Sequence, residues 1–233
     1  MTPLEEHGQK SRMRAMFDDV APRYDLLNHL LSAGVDRGWR RRAVRELALR
    51  PGERLLDLCA GTGDLGLTAL DRVPGLTVTG VDLAGEMLLR GVRKTGTRAY
   101  SFVQGDAERL PFADASFHAL AVGFGIRNVA SRERAFREAV RVLRPGGRLA
   151  MLEFTLPTRR PLRQLYLAYF HHVLPRLGGW VSGKPDAYRY LPHSVSTFPE
   201  PRVLARELEH AGFNRVRWQL LSGGIAALHV ADL

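Results

Sequence analysis

With 233 residues, 45% of them hydrophobic, the chain suffices for one α/β domain with a substantial core and is short for two. No run approaches the roughly 18 consecutive apolar residues of a membrane span, and the N-terminus lacks an apolar signal region, so a cytoplasmic or peripheral protein is expected. The formal charge of +10 rests on 34 basic residues, of which only Lys10, Lys94 and Lys184 are lysines, and it favours nucleic acid or an anionic membrane as partner; the lone Cys59 excludes an internal disulfide and a multi-cysteine metal site.

From Arg12 to Leu49 the pattern is helical, broken at Pro22, and forms an extension ahead of the first strand. Within it, Phe17-Asp18-Asp19-Val20-Ala21-Pro22-Arg23-Tyr24-Asp25-Leu26-Leu27-Asn28 mixes aromatic, acidic and amide groups too densely for a plain amphipathic stripe. Two readings stand. The segment is either a cap that excludes water from a ligand touched by Phe17 and Tyr24, or a helix packed on the sheet with Asp25 and Asn28 as capping residues. The cluster Arg37 to Arg45 reads equally as a solvated helical face or a binding patch.

Leu55-Leu56-Asp57-Leu58-Cys59-Ala60-Gly61-Thr62-Gly63-Asp64 is an apolar run ending in an acid and then a glycine loop, which predicts a buried strand turning sharply into a helix. Gly61 and Gly63 supply the backbone freedom of the turn and allow a ligand to lie against bare amides at the helix N-terminus. A dinucleotide fingerprint needs G-x-G-x-x-G; Cys59 stands at its first position and nothing matches its third, so a nicotinamide or flavin is disfavoured. The loop instead resembles that of class I S-adenosylmethionine (SAM) methyltransferases. That resemblance implies that Asp57 and the loop backbone, with Gly61 and Thr62, hold the methionine half of the cofactor; a tight turn without a ligand is the alternative.

Leu76 to Val81 predicts a second strand ending at Asp82, followed by a helix through Met87 and Leu89. A carboxylate at this strand end is placed to accept hydrogen bonds from both ribose hydroxyls of a nucleoside cofactor, with capping of the next helix as the alternative role. A third strand, Ala99 to Val103, leads to Gln104-Gly105-Asp106-Ala107. By the same resemblance Asp106 meets the exocyclic amine of adenine and the amide of Ala107 a ring nitrogen. The acidic strand ends Asp57, Asp82 and Asp106 are 25 and 24 residues apart, a recurrence that points to SAM more strongly than the loop does alone.

The fourth strand, Phe117 to Gly123, runs into Phe124-Gly125-Ile126-Arg127-Asn128-Val129, which should face the transferable methyl group. At this point there is neither the Asn/Asp-Pro-Pro-Tyr/Phe of base-directed amino methyltransferases nor the nucleophilic cysteine of RNA cytosine-5 enzymes. His118 comes early in the strand and reads as a core or sheet-face residue. A helix from Glu133 to Leu143 is stopped by Arg144-Pro145-Gly146-Gly147 before a strand from Arg148 to Phe154, whose Glu153 can face the substrate. Residues 157–200 form an insertion rich in aromatics, including Tyr166, Tyr169, Phe170, Trp180, Tyr188, Tyr190 and Phe198, suited to wall an apolar pocket or to meet a membrane surface. Its His171-His172 pair points roughly 100° apart on a helix and has no carboxylate partners, so no metal is expected. A helix from Val203 to Ala211 and strands Arg215 to Leu221 and Ile225 to Val230, joined by Ser222-Gly223-Gly224, close the chain as a β-hairpin.

The stretch Tyr24-Asp25-Leu26-Leu27-Asn28-His29-Leu30-Leu31-Ser32-Ala33-Gly34 with Trp39 closely resembles the first signature of the quinone-biosynthesis C-methyltransferases of the menaquinone and ubiquinone pathways. Arg141 to Gly147 with Glu153-Phe154 resembles their second. Ala60 to Asp64, Phe124 to Val129, His172-Val173-Leu174-Pro175 and Tyr188-Arg189-Tyr190-Leu191 are similar to the family too, so the likeness runs from about Arg12 to His229. Departures are Asp36, where many relatives carry histidine, Ala60, where some carry glycine, and Gly123, where serine is frequent and where only backbone can now touch the cofactor.

The resemblance implies an α/β fold of the class I SAM-dependent methyltransferase type. Its expected parts are a Rossmann-like, mostly parallel seven-stranded sheet, a C-terminal β-hairpin and an N-terminal helical cap. One domain is expected, with a cap over residues 1–50, a cofactor-binding core over 51–156, a substrate-side insertion over 157–200 and a helix and hairpin over 201–233. The implied reaction moves a methyl group from SAM to a ring carbon of a reduced polyprenyl quinone precursor, with demethylmenaquinol the first choice and a methoxybenzoquinol the second. Arg127 would then stabilise a developing phenolate and Asn128 orient a hydroxyl or a water; the alternative is loop scaffolding, with Arg127 paired to an acidic neighbour. The base stays open among water, Asp19, Asp25 and Glu153. An anionic membrane surface is the expected partner besides the quinol, nucleic acid is not expected, and self-association is left open. An RNA-directed methyltransferase and a SAM-binding protein without turnover are the rival readings.

Overall fold

The computed structural model describes residues 3–23, 32, 34–169 and 185–233. Helix α1 (Pro3–Val20) passes through a 3-10 turn (Ala21–Arg23), and α2 (Asp36–Leu47) leads into β1 (Arg54–Leu58). The alternation continues through α3 (Asp64–Leu70), β2 (Thr77–Asp82), α4 (Gly85–Thr95), β3 (Tyr100–Gln104) and β4 (Phe117–Gly123). A 3-10 turn (Ile126–Asn128), α5 (Arg132–Val142) and β5 (Leu143–Phe154) follow. The chain then runs through α6 (Arg160–Ala168), α7 (Pro185–Ser196), α8 (Pro201–Ala211), β6 (Asn214–Leu221) and β7 (Ala226–Asp232).

The seven strands form one sheet in the order β3-β2-β1-β4-β5-β7-β6, parallel from β3 to β5 and antiparallel at β7 and β6. The order reverses between β1 and β4, and a crevice opens beyond the carboxyl ends of these strands, where ligands of open α/β sheets bind. Leu55, Leu56 and Leu58 of β1 and Leu120 and Val122 of β4 are buried on both faces, the continuous apolar run that a central parallel strand requires. Trp39, Ala43, Val44 and Leu47, at helical spacing on α2, cover one face of the sheet, while Phe136, Ala139, Leu204 and Leu208 of α5 and α8 cover the other.

Most boundaries expected from the pattern shift by one or two residues. Arg144-Pro145-Gly146-Gly147 differs more: instead of a free turn before the strand, it is an irregular part of β5, whose pairing with β4 starts at Leu143 opposite Phe117 and resumes at Arg148 opposite Ala119. Gly146 takes φ +76° there, and a Cβ on Gly147 would stand 2.8 Å from the Arg144 carbonyl oxygen, so both glycines are required by the bulge. The expectations for Tyr24, Asp25, Asn28, Phe170, His171, His172 and Trp180 lie outside the described residues.

Candidate active site

The turn after β1 is built as its glycines demand. Gly61 and Gly63 take φ +55° and +85°, and Cys59, at the position of the missing first glycine, also takes φ +54°. Cys59 folds against Gly125, where a Cβ would come within 2.2 Å of the Cys59 Cβ; the β1 and β4 loops touch there, and only glycine fits. Burial pushes the Cys59 thiol well up, which makes it an inert packed group at neutral pH.

A cleft lies over the carboxyl ends of β1, β2, β3 and β4 and includes Gly61, Asp82, Asp106, Ala107, Gly123 and Asn128 among its lining residues. Six of the residues expected from sequence are thus brought together. Asp82 Oδ2 accepts from the Gly61 amide at 2.8 Å and Oδ1 from the Ala84 amide at 2.9 Å, so this carboxylate both ties the glycine loop and begins α4. Burial raises its pKa, opposed by its backbone N–H donors. Gly61 therefore meets the cleft with its own N–H already used. At the end of β3, Asp106 Oδ1 accepts from the Glu108 amide at 2.9 Å, and the Ala107 N–H has no acceptor among the described residues.

Three expected residues stand elsewhere. The Asp57 carboxylate is buried and turned away from the cleft: its Oδ2 accepts from the Tyr100 hydroxyl at 2.7 Å and from the Gly66 amide at 2.8 Å. Thr62 lies behind the loop, where its hydroxyl accepts from Lys94 at 3.1 Å; the same ammonium pairs with Asp64, and Arg40 reaches Asp64 at 3.3 Å. These cations hold the loop from outside, and the Thr62 side chain is buried beside them. Arg127 is not among the described residues that line this cleft. Its guanidinium meets Glu153 Oε2 at 2.9 Å, and its amide donates to Glu153 Oε1 at 3.3 Å, with both side chains nearly inaccessible. The pairing with an acidic neighbour is present, and it engages both oxygens of Glu153 with Arg127.

Asp19 and His118 lie away from the cleft lining. Asp19 is exposed on α1. His118 takes part in the sheet rim, its Nδ1 accepting from the Arg54 amide at 3.0 Å. Among the described residues no group of three or more His, Cys, Asp and Glu side chains could hold a metal.

Further residues complete the cleft, and of these Lys10, Met13 and Arg14 carried no local signal. Helix α1 lies across the opening: Lys10, Met13, Arg14 and Phe17 line it, and the Lys10 ammonium sits 2.7 Å from Asp106 Oδ2 and 2.9 Å from Glu108 Oε2. Phe124 forms one wall and packs on Phe154 at 4.5 Å and on Trp39 at 6.1 Å between ring centroids, an aromatic cluster between α2 and the ends of β4 and β5. Tyr190 of α7 donates to Asn128 Oδ1 at 3.0 Å.

Comparison with known proteins agrees with this geometry. The ubiE/COQ5 methyltransferase family model matches residues 5–232. The demethylmenaquinone methyltransferase of Thermus thermophilus is 50% identical over 220 residues, 93% of this chain and 99% of its own length. That of Deinococcus radiodurans is 46% identical over 230 residues, 98% of this chain and 94% of its own. The ubiquinone/menaquinone biosynthesis C-methyltransferase of Syntrophotalea carbinolica is 48% identical over 218 residues, 93% of this chain and 92% of its own. Among solved structures, a SAM-dependent methyltransferase from Aquifex aeolicus superposes with a TM-score of 0.61 at 19% identity, covering 83% of this chain and 88% of that one. The [4+2]-cyclase SpnF superposes at 0.67 with 19% identity, covering 94% of each chain, so the fold by itself does not fix the reaction.

Proposed function

The chain belongs to the ubiE/COQ5 methyltransferase family and is a SAM-dependent C-methyltransferase of menaquinone biosynthesis, and from that membership we propose that its substrate is demethylmenaquinol. The observation that carries the cofactor half is the convergence on one cleft of Asp82, Asp106 and the Ala107 N–H, which has no acceptor among the described residues. Those groups match a nucleoside: Asp82 for the ribose hydroxyls, Asp106 for the adenine amine, the Ala107 N–H for a ring nitrogen, and Gly61 and Gly123 as backbone walls without side chains. Bound SAM supplies a methyl group activated by its sulfonium, open to attack by a ring carbon that the phenolic oxygens of a quinol make electron-rich.

The protein's part is to align, exclude water and steady charge. Phe124, Phe154 and Trp39 offer an apolar wall for an aromatic ring beside the cleft. Asn128 lines the cleft and orients the quinol oxygen or a water beside it. Arg127 acts indirectly, fixing the 3-10 turn through Glu153. A benzoquinol is the second substrate reading, favoured by the 48% identity to a relative named for both ubiquinone and menaquinone pathways.

Among the described residues no helix is long and apolar enough to cross a membrane. Contact with a membrane-held quinol then falls to a surface, and the exposed Arg159, Arg160, Arg163 and Leu165 on and beside α6 suit the headgroups of anionic lipid. Tyr166 of the same helix is buried, so α6 joins such a surface to the interior.

Methyl transfer from SAM measured on reduced demethylmenaquinone, its oxidised form, a benzoquinol analogue and bulk RNA tests the substrate. Transfer to the reduced naphthoquinol alone or foremost is expected; equal rates with the oxidised form, or transfer to RNA, would defeat it. Vesicle sedimentation across a salt series tests the docking surface, with binding to anionic vesicles that weakens as salt rises and that Arg160→Glu/Arg163→Glu abolishes.

A further inference from the structure

Asn128 ends the 3-10 turn that follows β4, and the turn is fixed without its side chain. Its amide donates to the Gly125 carbonyl at 3.0 Å, and the neighbouring Arg127 amide is held by Glu153. What remains to be set is the rotation of the carboxamide. A carboxamide presents an acceptor at one end and two donors at the other, so its direction decides which of these a ligand meets. Tyr190 occupies the acceptor end, its Oη donating to Oδ1 at 3.0 Å from the α7 side. Nδ2 has no partner among the described residues, on a side chain that lines the cleft.

We propose that Tyr190 is a positioning residue for methyl transfer: by occupying Oδ1 it holds the Asn128 carboxamide with Nδ2 toward the substrate, where Nδ2 donates to the quinol oxygen that becomes negative as its phenolic proton passes to water. The ring carbon of that phenolate then takes the methyl from the sulfonium and afterwards loses its own proton to water. This rests on the quinol reading given above. A donor at that oxygen is worth most when it is already aimed, because no reorganisation is then required as charge develops. A tyrosine hydroxyl serves as the fixing group because it stays protonated, hence a donor, across the neutral range, and burial raises its pKa further. The link also ties α7 to the loop after β4, so the substrate-side segment and the methyl-transfer loop share one hydrogen bond.

The test compares wild type, Tyr190→Phe, Asn128→Ala, Asn128→Asp and Tyr190→Phe/Asn128→Ala for kcat and KM on reduced demethylmenaquinone, for SAM affinity and for thermal melting. Tyr190→Phe keeps the ring and its packing; its kcat is expected to fall roughly tenfold with SAM affinity unchanged, short of the roughly hundredfold or greater loss expected when the donor itself is removed in Asn128→Ala. Adding Tyr190→Phe to Asn128→Ala should cost nothing further, since no carboxamide is left to orient. Asn128→Asp can still accept from Tyr190 but has no donor, and should be as slow as Asn128→Ala. Full activity in Tyr190→Phe or in Asn128→Asp, or single effects that multiply in the double variant, would overturn the assignment. A wild-type protein that leaves the quinol unmethylated would overturn the substrate reading as well, which separates the two failures.

Discussion

The ammonium of Lys10 stands 2.7 Å from Asp106 Oδ2, joining the N-terminal helix to the end of the third strand across the mouth of the cleft. Burial lowers the Lys10 pKa, but its hydrogen bonds to Asp106 and Glu108 more than reverse this and leave it raised, so it is charged at any working pH. The oxygen it holds is the one an adenine amine would need, because Asp106 Oδ1 already accepts from Glu108. Glu108 would keep Arg134 at 2.7 Å if Lys10 were lost. A partly exposed pair is worth about 0.2–1 kcal/mol, so Lys10→Met, which keeps the bulk of the side chain, should bind the cationic SAM about 1.4- to fivefold more tightly. The gain should shrink as salt rises. Calorimetric titration at two salt concentrations checks it; weaker binding would mean that Lys10 closes over the cofactor instead of competing with it.

Asp82 carries a double duty that its variants separate. Asp82→Ala removes the acceptor for the ribose and unties Gly61 and Ala84, and SAM affinity should drop by about 1–3 kcal/mol. Asp82→Asn keeps one acceptor oxygen and should fall less. Titration of folded protein with SAM is the measurement, and unchanged affinity in Asp82→Ala would reduce the residue to starting α4.

Arg127 and Glu153 form a pair whose side chains are only 7% and 2% exposed, where removing one partner leaves an uncompensated charge. Glu153→Gln should cost about 3–5 kcal/mol of stability, whereas Arg127→Met/Glu153→Gln, which removes both charges, should recover much of it. Urea unfolding of both variants decides. Additive losses would show that the two side chains act independently and that Arg127 keeps its charge for another use.

The succession of strands and helices and the place of the cleft were legible because they depend on local signals: apolar runs, glycines at a turn, and acids at successive strand ends. Which acid faces the ligand depends on distant residues. Asp57 turns away because Tyr100, 43 residues on, bonds it, and the Tyr100 ring fits only where Gly66 and Gly80 lack side chains. The partners of Thr62 and Arg127, Lys94 and Glu153, are likewise 32 and 26 residues away. Lys10 meets Asp106 across 96 residues. Its rarity in an arginine-dominated chain was visible, and its place in the fold was not. Tyr190 stood in a family-like stretch, Tyr188-Arg189-Tyr190-Leu191, yet only the packing of α7 shows that its hydroxyl meets Asn128.

The Asp57–Tyr100 contact also makes stability depend on pH. Burial raises the Asp57 carboxyl to about 7, against the opposing hydrogen bonds from Tyr100 and Gly66. In the unfolded chain the same group titrates near 3.9, so between about pH 4 and pH 7 the folded protein holds a proton that the unfolded chain releases. Folding thus gains from the protonated acid below about pH 4, loses that gain as pH rises, and has lost it once pH passes about 7. Asp57→Asn keeps a carbonyl oxygen for Tyr100 and Gly66 and has no proton to lose. Urea unfolding of the two proteins from pH 4 to pH 8 should show the wild type losing ground to Asp57→Asn by up to a few kcal/mol, at a limiting slope of about 1.4 kcal/mol per pH unit, and then running parallel to it. Curves parallel over the whole range would mean that Asp57 ionises alike in the folded and unfolded chains, and that its hydrogen bonds from Tyr100 and Gly66 offset its burial.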